Sequence, residues 1–96
     1  MPAFVSAQVS ISSTAVRAVE SADFDRHVAI GTGGATQFQI GYSAAEASTG
    51  AIWNADMSTS QGAAVMRFVL PADEELWVRH PTGGANTVHV FVSKAG

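Results

Sequence analysis

The sequence predicts one all-β domain, a single antiparallel β-sandwich or jelly-roll-like barrel of about seven to eight short strands. Short runs alternate between apolar and polar residues, which is the two-residue period of a strand. Gly- and Pro-containing turns separate these runs, and no amphipathic helix of about 12 residues is visible. A chain of 96 residues corresponds to one domain, which we assign to residues 1–96 with a short N-terminal arm at about residues 1–4.

The most regular stretch is Ala63–His80, where two apolar runs flank the polar sequence Pro-Ala-Asp-Glu. Alternate residues of Ala64–Leu70 share one face of a strand, and Arg67 lies on the other face. Pro71 cannot donate to a strand ladder, so it ends the first run. The stretch therefore predicts a hairpin or a corner between two sheets, and we expect its two strands to be central.

The same alternation predicts the remaining strands. They comprise Phe4–Ile11, Thr14–Glu20, Arg26–Gly31, Thr36–Tyr42, a brief strand at Ala51–Trp53, and Thr87–Val92. Val16 and Val19 fall on opposite parities of their strand, which indicates either a β-bulge or an environment that is apolar on both faces. Ser21 is able to cap a single helical turn over Ser21–Asp25.

The alternation also assigns side chains to the core or to the solvent. The inward positions are Val28, Ile30, Phe38, Ile40, Tyr42, Val88, Val90 and Val92. The outward positions are His27, Ala29, Gln37, Gln39, Thr87, His89 and Phe91.

Two segments are candidates for contact with a partner. The N-terminal arm offers Pro2 and Phe4, and the irregular segment Ser43–Gly62 offers Trp53 and Met57. A loop of about 20 residues is long for a compact domain and often marks a contact or functional segment. Aromatic residues also dominate binding hot spots.

Composition narrows the classes of partner. Charged residues are 14% of the chain, against about 25% in ordinary soluble domains. Either part of the exterior faces other subunits or this is a small neutral domain, and composition leaves both readings open. The net charge of −3 and the scattered Lys and Arg residues provide no positive stripe, so we expect no nucleic-acid binding. The absence of cysteine excludes disulfides and thiolate chemistry.

Neither membrane insertion nor export is indicated by the sequence. No apolar run is long enough to span a bilayer, and the N-terminus lacks the basic and apolar regions of a signal peptide. We therefore expect synthesis in the cytoplasm and no membrane partner.

No motif for catalysis or cofactor binding is visible. His27, His80 and His89 lack the spacing of metal-ligand motifs. The acidic residues cluster in predicted turns, where a bond to the backbone is the simpler explanation. The Gly-rich loops at residues 31–34 and 82–84 lack a following Lys-Ser/Thr pair, and no GxSxG motif occurs. We therefore predict no catalytic, cofactor-binding or metal-binding residue, and no enzymatic activity.

Three segments carry a resemblance: VSISSTAVRAV at residues 9–19, DRHVAIGTGGATQFQIGY at residues 25–42, and FVLPADEELWV at residues 68–78. Their strand–turn–strand style resembles the small all-β accessory proteins of tailed bacteriophage virions. Those proteins have a Pro-Gly-like turn where this chain has Pro-Ala-Asp-Glu. The resemblance implies a β-sandwich on the capsid, at the neck or in the tail, and it implies no catalytic residues.

The function we expect from this resemblance is that of a non-enzymatic virion protein, a decoration protein that stabilises the capsid of a tailed phage. Its partner would be the major capsid protein or another virion protein, and self-association as a trimer is favoured. A neck or tail accessory role is an alternative within the same class. A carbohydrate-binding or host-recognition β-sandwich module is the alternative from a different class.

Overall fold

Eight strands and one short helix form the regular structure of residues 4–32, 37–54, 65–83 and 86–95, which are the residues that the computed structural model describes. The strands are β1 (Phe4–Ile11), β2 (Val16–Val19), β3 (Arg26–Thr32), β4 (Gln37–Gly41), β5 (Ile52–Asn54), β6 (Met66–Leu70), β7 (Leu76–Arg79) and β8 (Asn86–Lys94). The helix, α1, spans Ala44–Thr49 between β4 and β5. The predicted strands are therefore present, with shifts of a few residues at their ends.

The strands form two antiparallel sheets of four strands each. The first sheet has the order β1-β8-β3-β6 and the second has the order β2-β7-β4-β5. Antiparallel pairs join β1 to β8, β2 to β7, β3 to β6 and β4 to β5. These pairs form one long two-stranded ribbon whose turn lies between β4 and β5. The ribbon folds over on itself, so that β3 also pairs with β8 and β4 also pairs with β7. It is the eight-strand jelly-roll arrangement, and it confirms the predicted fold class.

The core lies between the two sheets and includes five of the predicted inward positions, Val28, Ile30, Phe38, Val88 and Val90. Its fully or nearly buried side chains are Ile11, Val19, Val28, Ile30, Phe38, Leu70, Leu76, Val78, Val88 and Val90. Each such aliphatic or aromatic side chain contributes about 1.5–3 kcal/mol when it leaves water. The register of β2 against β7 shifts between Arg17 and Val19, which confirms the predicted bulge.

The stretch predicted to be central divides between the sheets. Among the described residues, β6 lies at the edge of the first sheet and pairs with β3 alone, whereas β7 lies inside the second sheet between β2 and β4. The corner between two sheets is therefore right, and the hairpin is wrong, as is a central position for β6. Asp73, with a φ of 69°, provides the left-handed residue that lets the chain turn from one sheet to the other.

Arg26 at the start of β3 is 3% exposed and holds two turns together. Its guanidinium donates to the carbonyls of Glu20 and Phe24 in one turn, and to those of Pro71 (3.0 Å) and Glu74 (2.9 Å) in the other. The helical turn predicted over Ser21–Asp25 is wrong, because the carbonyls around it point to Arg26 and to the amide of Asp73 instead.

Helix α1 was not predicted, because six residues are too few to show a helical period. Ser43 caps it: the Ser43 side chain accepts a hydrogen bond from the amide of Glu46. The helix packs on the outer side of the second sheet, over β4 and β7, and its residue Ala47 is fully buried. Close approach requires Gly41, because a Cβ there would lie 2.4 Å from the amide nitrogen of Ala47.

The helix also explains two errors in the assignment of β4. Gln39 was predicted to face solvent, but it is 7% exposed because α1 covers that side of the sheet. Tyr42 was predicted to face the core, but it is 44% exposed because β4 ends at Gly41.

Candidate interaction surfaces

Hydrogen bonds as well as packing hold α1 on the outer side of the second sheet. Gln39 donates from Nε2 to the carbonyl of Gly50 (2.8 Å), and Arg79 donates from Nη1 to the carbonyl of Ser48 (3.2 Å). Both carbonyls lie at the C-terminal end of α1, where helix carbonyls lack partners within the helix. The chain therefore covers β4 and β7 on this face with its own helix, while Arg17 of β2 and Ile52 of β5 stay exposed.

The outer side of the first sheet is not covered by any helix of the described residues; we call it the open face. One row across it runs from Ser6 through Phe91 and Ala29 to Arg67. The neighbouring rows contain Ser93, His27 and Val69 on one side and Gln8, His89 and Gly31 on the other. Val69 is 50% exposed, and His27 and Arg67 are also exposed.

A hollow of about 460 Å³ lies in the middle of the open face. The side chains that define it are those of His27, Ala29, Arg67, Val69, Phe91 and Ser93. Its cause is local: the small side chain of Ala29 stands between the larger Phe91 and Arg67 in the same row. A second hollow of about 290 Å³ lies on the other side of Phe91, next to Gln8 and His89. Phe91 is thus the ridge between two depressions.

Arg67 is the permanently charged residue that lines the hollow, and no acidic residue of the described ranges lines it. Asp25 lies two residues before His27, so strand alternation places it on the same side of β3 at the end of the face. There its Oδ1 accepts a hydrogen bond from the amide of Ala72.

A second exposed surface lies at the free edge of the second sheet, and we call it the edge patch. It consists of Ile52 and Trp53 of β5, which are 55% and 45% exposed, and of Tyr42 just after β4, which is 44% exposed. Ile52 lies opposite Gln39 and Trp53 opposite Phe38, so these two side chains point to opposite sides of the sheet. Ile52 and Trp53 belong to β5, which pairs only with β4 and so leaves one edge without a neighbouring strand among the described residues. Unpaired edges and exposed aromatic side chains are both features of contact surfaces.

The structure describes some of the predicted contact residues and not others. Trp53 belongs to the edge patch, whereas Pro2 and Met57 lie outside the described residues. Of Phe4, the backbone position is described: it begins β1 opposite Ser93 of β8. Sequence reasoning missed the open face, although the outward position of Phe91 was a readable signal of it.

The titratable side chains are dispersed or occupied by local bonds. Nδ1 of His80 accepts from the amide of Thr82 (3.2 Å) and Oδ1 of Asp25 accepts from the amide of Ala72 (2.9 Å). Glu75 accepts from Nε1 of Trp77 (3.2 Å) and Nη1 of Arg17 (3.0 Å), and these two hydrogen bonds lower its pKa. Within the described ranges, no group of three or more His, Asp or Glu residues is placed to hold a metal ion.

No helix among the described residues has the length and apolar character needed to cross a bilayer. Comparison with protein-family models, curated proteins and solved structures finds no significant match to this chain.

Proposed function

We propose that this chain is a non-enzymatic structural protein of a tailed-phage virion, in the simplest case a decoration protein that stabilises the capsid shell. The observation that supports a docking role best is the edge patch, where Tyr42, Ile52 and Trp53 expose large apolar side chains beside an unpaired strand. The low charged content of 14% and the resemblance of three segments to virion accessory proteins support the same role. The jelly roll is a rigid framework used by capsid proteins among others.

The mechanism is stabilisation by burial. A protein that binds only the assembled shell adds association free energy to that state and so shifts the balance away from disassembly. A standard interface buries about 800 Å² on each partner. Since the chain exposes 5396 Å² in total, such a contact would use about one-seventh of its surface. The edge patch would form the apolar centre of that contact.

The test is whether the protein is a constant component of purified phage particles. We expect a fixed ratio to the major capsid protein that survives washing, and a lower temperature of shell disruption in particles assembled without this chain. Its absence from washed particles would refute the virion role.

Trp53→Ala tests the edge patch itself. Loss of a hot-spot tryptophan costs about 2 kcal/mol or more, so occupancy of particles should fall about thirtyfold at limiting concentration. Arg17→Ala is the control, because Arg17 is exposed on the second sheet but lies outside the edge patch. Equal occupancy for the wild type and Trp53→Ala would exclude the edge patch as the docking surface.

A carbohydrate-binding role is a second candidate, because Tyr42 and Trp53 are both nearly half exposed. Aromatic faces of this kind stack on sugar rings. The role predicts that a glycan from the host surface changes the fluorescence of Trp53 and that Trp53→Phe alters the response. Unchanged fluorescence with every host glycan would remove this candidate.

A further inference from the structure

Helix α1 is held against the second sheet by a small set of contacts. Of its six residues, only Ala47 is buried. Two hydrogen bonds from the sheet reach its C-terminal end, from Gln39 to the carbonyl of Gly50 (2.8 Å) and from Arg79 to the carbonyl of Ser48 (3.2 Å). Segments with few buried apolar contacts and exposed hydrogen bonds are those that open locally while the rest of a protein stays folded.

The two side chains that hold α1 also carry polar atoms without partners. Among the described residues, Oε1 of Gln39 and Nε of Arg79 are buried and make no hydrogen bond. Gln39 and Arg79 lie opposite each other in β4 and β7. A buried polar atom without a partner is unfavourable, and separation of α1 from the sheet would let both atoms reach water. The same two side chains thus stabilise the docked helix and carry a cost that opening removes.

Two glycines allow α1 to lie close to β4. A Cβ on Gly41 would lie 2.4 Å from the amide nitrogen of Ala47, and a Cβ on Gly50 would lie 2.8 Å from the carbonyl oxygen of Ile40. Both distances are too short, because non-bonded heavy atoms attract each other best at about 3.5–4.0 Å. A side chain at either glycine would therefore push α1 away from the sheet without a change in the core.

The two ends of α1 connect directly to the edge patch. Tyr42 precedes the capping residue of the helix, and Ile52 follows Gly50 after one residue. Ile52 also lies opposite Gln39, so the side chain that holds the C-terminal end of α1 belongs to the strand pair that positions Ile52. The docked helix therefore fixes Tyr42 on one side and Ile52 on the other.

We propose that α1 docks and undocks as a unit, and that the edge patch has its binding shape only while α1 is docked. The proposal rests on the role of the edge patch proposed above and adds its regulation. A partner that binds the edge patch stabilises the docked helix, because a ligand shifts a two-state equilibrium toward the state that it prefers. A change that undocks α1 weakens the apparent affinity in proportion to the docked fraction that is lost.

Native-state amide hydrogen exchange of the ¹⁵N-labelled full chain measures the undocking itself. The amides of Ala47 and Gly50, which donate at the two ends of the helix, should exchange about 100-fold faster than those of β8, which lies between two strands. Low urea should speed exchange in β8 and leave these two amides unchanged, because local opening exposes little surface. Exchange of Ala47 and Gly50 only through global unfolding would overturn the proposal.

Two variants test whether α1 and the edge patch move together. Gly50→Ala should speed exchange of Ala47 about tenfold or more and shift the amide signal of Tyr42, at the far end of the helix. Gly83→Ala is the control, because it strains a turn with a φ of 89° that meets Ser13 and not α1. It should speed exchange in β8 and leave Ala47 unchanged. A Tyr42 signal that stays in place in Gly50→Ala would refute the coupling.

Binding to phage particles tests the regulation. The double variant Gly41→Ala with Gly50→Ala should occupy particles about threefold less or lower at limiting concentration, with exchange in β8 still slow, whereas Gly83→Ala should bind as the wild type does. Equal occupancy for the double variant, with Ala47 unprotected, would overturn the regulation. Absence of wild-type binding would refute the proposed function and the regulation with it. The undocking of α1 is decided separately, by the exchange measurements alone.

Discussion

The outer faces of the two sheets differ in what lies above a small, outward-facing residue. On the second sheet, the space above Gly41 is filled by α1, and Gln39 and Arg79 bond to carbonyls of the helix end. On the first sheet, the space above Ala29 is left as a hollow. The chain thus places a helix over two strands of the second sheet, whereas no helix of the described residues covers the first sheet.

The largest expected effect on stability comes from comparing two arginines of the first sheet, Arg26, which is buried, and Arg67, which is exposed. Arg26→Met should destabilise the protein by about 3 kcal/mol or more, because it leaves partly buried carbonyls of two turns without their donors. Arg67→Met should change stability by less than about 0.5 kcal/mol, because Arg67 is exposed. Urea unfolding measures both, and similar losses for the two variants would contradict the comparison.

A smaller effect is expected at the start of the helix that covers the second sheet. Ser43→Ala removes the side-chain acceptor for the amide of Glu46 and should cost about 1 kcal/mol. Ser43→Asp should restore most of that loss, since Asp is an equally good cap. Thermal unfolding monitored by circular dichroism provides the measurement, and an unchanged Tm in Ser43→Ala would show that α1 does not need its cap.

The smallest effect is a pH dependence of the unfolding free energy that arises from Glu75, the residue before β7. Hydrogen bonds from Trp77 and Arg17 lower the pKa of Glu75 below its ordinary value of 4.5. A lowered pKa means that the charged form stabilises the fold above about pH 4.5, and that this stabilisation is lost as the pH falls through the folded-state pKa. Glu75→Gln should therefore flatten the decline of stability below pH 4.5. An identical decline in the variant and the wild type would refute this role.

The sequence was sufficient for the strands and for most of the core, because alternation places residues such as Val28, Ile30 and Val90 on the inner faces. It was not sufficient for sheet order, since nothing in the turn after Leu70 says whether the chain returns to its own sheet or crosses to the other. The burial of Gln39 was equally hidden, because it depends on a six-residue helix.

The candidate surfaces were only partly predictable for a related reason. Trp53 could be identified as a contact residue from its chemistry and its irregular surroundings. The open face could not, because a hollow arises when Ala29 is flanked by Phe91 and Arg67 from two other strands. That neighbourhood depends on strand order, which alternation alone does not determine.

The most direct test of the difference between the faces is one comparison of unfolding free energies in urea. Gly41→Ala puts a Cβ 2.4 Å from the amide nitrogen of Ala47, so it should cost about 1–3 kcal/mol. Ala29→Val adds two methyl groups above the hollow and suits a strand, so its cost should stay within about 0.5 kcal/mol. A loss in Ala29→Val as large as that in Gly41→Ala would contradict the account, because it would mean that both faces are closed.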